Sequence, residues 1–74
     1  LIDPESYIGP YTVIGSLVKI AKNVIVEGHS SIGEHCELGE STHLMPRVTL
    51  YPNSFIGKRV VLHSGVVIGS DGFG

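Results

Sequence analysis

The side chains of this 74-residue sequence best suited to proton transfer, nucleophilic attack or metal binding are four histidines, His29, His35, His43 and His63, with Cys36, Ser64 and Asp71. His63 beside Ser64, with Asp71 further on, has the ingredients of a hydrolase triad, but no nucleophile-elbow phrase surrounds Ser64. As a general base, His63 would need a matched partner that the sequence does not display, so contact at the rim of a site is the better reading. Cys36 is the sole cysteine, which excludes an internal disulfide and leaves no paired spacing of a zinc centre. Its single occurrence fits a reducing compartment.

What these residues can do depends on the elements that carry them, and those elements are repeats. Aliphatic residues recur every sixth place without a break: Ile2, Ile8, Ile14, Ile20, Val26, Ile32, then Leu38, Leu44, Leu50, Ile56, Leu62 and Ile68. Glycine follows the aliphatic at 9, 15, 33, 39, 57 and 69, and a small or β-branched residue stands four places after it, as in Ser6, Thr12, Val18, Val24, Ser30 and Cys36. A period of six fits neither the 3.6 residues of a helix turn nor a heptad, whereas alternation in a short strand turns small, outward and aliphatic residues in, out and in. Thr12, Val13 and Ile14 show the pattern. Pro4, Pro10, Pro46 and Pro52 would break helices but suit tight turns. The expectation is an all-β, helix-free solenoid in which three hexads close one 18-residue coil, giving about four coils over residues 1–74.

With that coil length the outward residues fall into three columns: Tyr7, Ile25, His43 and Val61; Val13, Ser31, Thr49 and Val67; Lys19, Glu37, Phe55 and Phe73. The first is largely apolar, which predicts that Tyr7, Ile25 and Val61 lie near a subunit contact. His63 falls in an outward column above Met45, Glu27 and Gly9. Asp71 stands above Asn53, His35 and Leu17, where a D-G turn is the plain alternative to ligand contact. His29 and His35 belong to different turns and His43 to another column, so the three read as solvated corner histidines and no metal is expected. Cys36 takes an inward place and reads as packing.

The composition closes other classes. The formal charge is −2 and the five basic residues are scattered singly, so neither nucleic acid nor an anionic lipid surface has a footprint to bind. No apolar run approaches the roughly 20 residues that span a bilayer. The chain opens at Leu1 without a signal-like segment and ends within a glycine-rich phrase, which reads as a piece of a larger cytoplasmic protein. A solenoid this short also needs further repeats or caps to cover its ends.

The repeated I-G-x-x-(S/T/V)-x units resemble the hexapeptide-repeat acyltransferases. From Val48 on, and above all in I-G-S-D-G-F-G at residues 68–74, the sequence is similar to the UDP-3-O-acylglucosamine N-acyltransferase family of lipid A synthesis. The resemblance implies a left-handed parallel β-helix, a homotrimer with active sites between subunits, and no cofactor. It also implies an N-terminal uridine-binding domain and later coils, both absent from residues 1–74, with the general-base histidine in those later coils, so that no catalytic residue is assigned here. The reaction implied moves a 3-hydroxyacyl group from acyl carrier protein to the 2-amine of a UDP-linked, 3-O-acylated glucosamine. Glycine-rich backbone lets a ligand approach closely, and on that basis Asp71, Gly72 and Phe73, with His63 at the rim, are the candidate substrate-binding residues. The alternatives are another acyl- or acetyltransferase of the same repeat class and a non-catalytic β-helical assembly module; the isolated segment should not catalyse transfer.

Overall fold

A computed structural model describes residues 1–69. Among them, eleven two-residue strands succeed one another every six residues: β1 Tyr7–Ile8, β2 Val13–Ile14, β3 Lys19–Ile20, β4 Ile25–Val26, β5 Ser31–Ile32, β6 Glu37–Leu38, β7 His43–Leu44, β8 Thr49–Leu50, β9 Phe55–Ile56, β10 Val61–Leu62 and β11 Val67–Ile68. There is no helix among the described residues. Every pairing between strands is parallel and joins residues 18 apart, such as Tyr7 with Ile25 and Ile8 with Val26. Three walls result: β1-β4-β7-β10 (wall one), β2-β5-β8-β11 (wall two) and β3-β6-β9 (wall three), the last extended by a bridge from Ile2 to Ile20. The fold is the parallel β-solenoid that the period of six predicts.

The walls face inward with the residues the sequence assigns to the core. From Ile20 to Ile56 the aliphatic column is at most 7% exposed, whereas Ile2, covered by one neighbouring coil only, is 42% exposed. Two-residue strands suffice because each inward side chain of the middle coils is sealed by the same residue type in the coils above and below. From Val18 to Ser54 the small column is buried as well, and its polar members bond to the backbone. Ser30 Oγ donates to the Glu27 carbonyl at 3.0 Å and accepts the Val48 N–H at 3.2 Å. Cys36 is buried, its Sγ 3.1 Å from the Tyr51 carbonyl, as expected of a packing residue.

The corners carry a regular strain. One residue in each hexad from Tyr11 to Arg59, nine in all and none of them glycine, has φ between 55° and 66°, a left-handed conformation that costs an L-residue about 1–2 kcal/mol. Hydrogen bonds to the coil below offset part of this cost: His29, His35 and Arg59 donate their N–H groups to the carbonyls of Pro10, Ser16 and Glu40 at 3.0, 2.9 and 2.8 Å. Close stacking also explains Gly33, where a Cβ would lie 2.5 Å from the backbone nitrogen of Pro52 in the next coil.

Candidate functional site

Of the candidate substrate-binding residues, His63 lies within the described part and Asp71, Gly72 and Phe73 lie outside it. His63 is exposed on the corner after β10, as its column predicts, and its carbonyl accepts the Val66 N–H at 3.2 Å to hold the turn. Among the described residues its imidazole has no side-chain hydrogen-bond partner, so nothing there orients it as a base.

Two residues before Asp71, the repeat changes its conformation. Gly69 has φ +81°, whereas Gly15, Gly33 and Tyr51, its counterparts in the coils below, stay out of the left-handed region. A Cβ on Gly69 would fall 2.5 Å from Ser54 Oγ, which is buried and held by its bond to the Tyr51 carbonyl at 2.8 Å. A side chain here would be strained by the positive φ and would have to displace the Ser54 hydroxyl. Tyr51 is the one non-glycine in this column, its Cβ 3.6 Å from that same point, and it is 42% exposed. Tyr51, whose phenol can donate and accept a hydrogen bond, therefore has its Cβ beside Gly69. Sequence reasoning overlooked Tyr51; the interruption of a glycine column was the signal that could have found it.

The reading of three solvated corner histidines needs one correction. His29 and His35 are exposed at corners, and His29 stacks on Tyr11 with ring centroids 5.1 Å apart. His43 instead lies on β7 in wall one, half-buried, with Nε2 2.7 Å from Glu27 Oε2. The reason is diagonal geometry: Glu27 follows β4 at the edge of the wall and reaches upward across one coil to the imidazole, a relation that columns of residues 18 apart do not reveal. Among the described residues, no three His, Cys, Asp or Glu side chains converge on one point as metal ligands.

A further concave feature is an open groove of about 460 Å³ beside wall three. The stacked Ala21, Gly39 and Gly57 leave it hollow, Phe55 forms one side, and Lys19 and Glu37, 4.0 Å apart, lie along its rim. Its lining is mostly apolar and the rim charges cancel, so it offers room for an uncharged or apolar group rather than an anion.

No family model matches the chain. Among curated proteins it is 54% identical over its whole length to the UDP-3-O-acylglucosamine N-acyltransferase of Pseudomonas syringae pv. syringae, of which it covers 21%. It is 39% identical, again over its whole length, to the protein of that name from Polynucleobacter asymbioticus, of which it covers 22%. A segment of 46 residues is 59% identical to the namesake from Pseudomonas putida. The chain thus spans about a fifth of the length of the curated relatives it matches along its full extent. With its solenoid of six-residue repeats, it is over its entire length homologous to one segment of the UDP-3-O-acylglucosamine N-acyltransferases.

Proposed function

We propose that these residues are early coils of a cytoplasmic, homotrimeric N-acyltransferase that moves a 3-hydroxyacyl group from acyl carrier protein to the 2-amine of UDP-3-O-acylglucosamine in lipid A synthesis. The observation that carries the reading is identity along the whole chain, 54% and 39%, with proteins of that name. In the chemistry proposed, the attacking amine gives up a proton to a base, and the tetrahedral oxyanion is held by N–H donors. The base belongs to coils beyond this segment, and a uridine-binding domain precedes it. Here Asp71, Gly72 and Phe73 line the substrate channel and His63 touches its rim. Gly69 supports that assignment, because its positive φ departs from the repeat at the residue just before the phrase.

The test is acyl transfer by the complete protein, with 3-hydroxyacyl carrier protein as donor and UDP-3-O-acylglucosamine as acceptor. Transfer to the 2-amine is expected, and Asp71→Ala should lower kcat/KM by roughly tenfold or more, the loss of one charged contact. His63→Ala should raise KM by a few-fold, on the order of 1 kcal/mol of rim binding, with kcat retained. Transfer confined to a different acceptor would overturn the substrate, and a wild-type rate in Asp71→Ala would remove that residue from the site.

A further inference from the structure

The residues that follow the strands of wall two stack in one column: Gly15, Gly33, Tyr51 and Gly69. The ladder bond at this place is the same in each coil, since Gly15, Gly33 and Tyr51 donate their N–H groups to the carbonyls of Ile32, Leu50 and Ile68 at 2.8, 2.8 and 3.0 Å. Over the two lower glycines the next coil closes directly. A Cβ on Gly15 would lie 2.6 Å from the nitrogen of Glu34, and one on Gly33 would lie 2.5 Å from that of Pro52. Tyr51 brings a side chain into this place, and the coil above it does not repeat the course of the others, because Gly69 takes φ +81°. Ala21, Glu27 and Met45 stand at the equivalent place on other corners under coils that keep the repeat, so a Cβ alone does not cause the departure. Tyr51 differs from them in carrying a ring.

Gly69 rests on two side chains of the coil below. The point at which its Cβ would stand is 2.5 Å from Ser54 Oγ and 3.6 Å from Tyr51 Cβ. One carbonyl fixes both neighbours: the Tyr51 oxygen accepts the Ser54 hydroxyl at 2.8 Å and the Cys36 thiol at 3.1 Å. Tyr51 is therefore held through its N–H and its carbonyl, and its side chain, 42% exposed, is more than half covered. From these observations we infer that Tyr51 is a positioning residue: its ring and the Ser54 hydroxyl form the seat of Gly69 and so set where the S-D-G-F-G phrase of residues 70–74 starts. The inference rests on the proposed function, in which Asp71, Gly72 and Phe73 contact substrate, and adds a residue that acts through them.

The physical reason lies in what glycine lacks. Gly69 has no side chain of its own to fix its backbone, and glycine adopts positive and negative φ with similar ease, so its conformation depends on the contacts beneath it. Removing the ring would leave space into which Gly69 could settle toward the conformation of Gly15 and Gly33. Misplacing a group in a binding site by about 1 Å costs on the order of a hundredfold in rate, so a change of this kind one residue before the phrase is large enough to measure.

Steady-state kinetics of the complete protein, with 3-hydroxyacyl carrier protein and UDP-3-O-acylglucosamine, provide the measurement. Tyr51→Ala should lower kcat/KM by roughly tenfold or more, chiefly by raising KM for the acceptor. Tyr51→Phe, which restores the ring without the hydroxyl, should recover the wild-type values. In an Asp71→Ala background the same Tyr51→Ala change should cost no more than about twofold, because a residue that acts through the phrase loses its effect once the contact made by the phrase is gone. A merely structural role would act equally in both backgrounds, and that result would overturn the inference. So would wild-type kinetics in Tyr51→Ala, or a Tyr51→Phe variant as impaired as Tyr51→Ala, since the hydroxyl and not the ring would then be what acts. Should Tyr51→Ala fail to fold, Tyr51→Leu takes its place in every comparison. A wild-type rate in Asp71→Ala would instead overturn the site assignment on which the inference rests.

Discussion

Thr42 and Val60 lie one above the other in adjacent coils and are joined through a side chain: the fully buried Thr42 hydroxyl accepts the Val60 N–H at 3.2 Å while donating to the Gly57 carbonyl at 2.7 Å. Ser30 and Val48 repeat the relationship on the next wall. The inward column Ser6, Val24, Thr42 and Val60, which alternates hydroxyl residues with valine, is thus a column of staples and spacers.

Removing one staple should be costly in proportion to the backbone groups it leaves bare. Thr42→Val keeps the volume and loses both bonds, and should destabilise the complete protein by about 1–3 kcal/mol. Thr42→Ser should recover most of that. Urea unfolding of the two variants decides it; equal stability of Thr42→Val and wild type would show that the hydroxyl bonds contribute nothing net.

Glycine between strand and turn is demanded by the coil above. In Gly33→Ala the new methyl would meet the Pro52 backbone at 2.5 Å, and backbone has to shift to admit it. The expected loss is about 1–3 kcal/mol, the range for overpacking, read as a lowered melting temperature. Proteins carrying Gly33→Ala that melt with wild type would show that the coils separate freely at this corner.

The left-handed corners predict a gain. Leu17 has φ 57° and is 70% exposed, so it bears conformational strain while covering little apolar surface. Asn23 and Asn53 adopt the same conformation at equivalent corners, and asparagine tolerates it best after glycine. Leu17→Asn should therefore raise stability by roughly 0.5–1 kcal/mol. A lower denaturation midpoint for this variant would mean that Leu17 is covered by another part of the complete protein.

Cys36 tests how tightly the prism is closed. Its thiol is buried and bonded to the Tyr51 carbonyl. It should stay unmodified by a thiol reagent under native conditions and react stoichiometrically in denaturant. Rapid native labelling would mean that the walls open locally.

Much of this arrangement is legible from residue order. The unbroken aliphatic period identifies the inward face, the 18-residue coil and the three walls, and it places His63 on an exposed corner and Cys36 inside. The corners were harder to read, because Tyr11, Leu17, His29, Ser41 and Arg47 share one strained conformation without sharing any composition. The partnership of Glu27 with His43 was invisible for another reason: their separation of 16 residues is two short of a coil, so it appears in no column. Tyr51 gains its interest only from Gly69, which departs from the repeat conformation directly above it.

The sequence by itself determined which side of each strand is inward, because burial depends on side-chain type at a fixed spacing and tolerates variation in detail. Only the tertiary structure decided which side chains meet across coils and which corner departs from the repeat. Those outcomes turn on distances of a few tenths of an ångström between residues far apart in the chain, as between the Ser54 hydroxyl and the space above Gly69, and no periodicity encodes them.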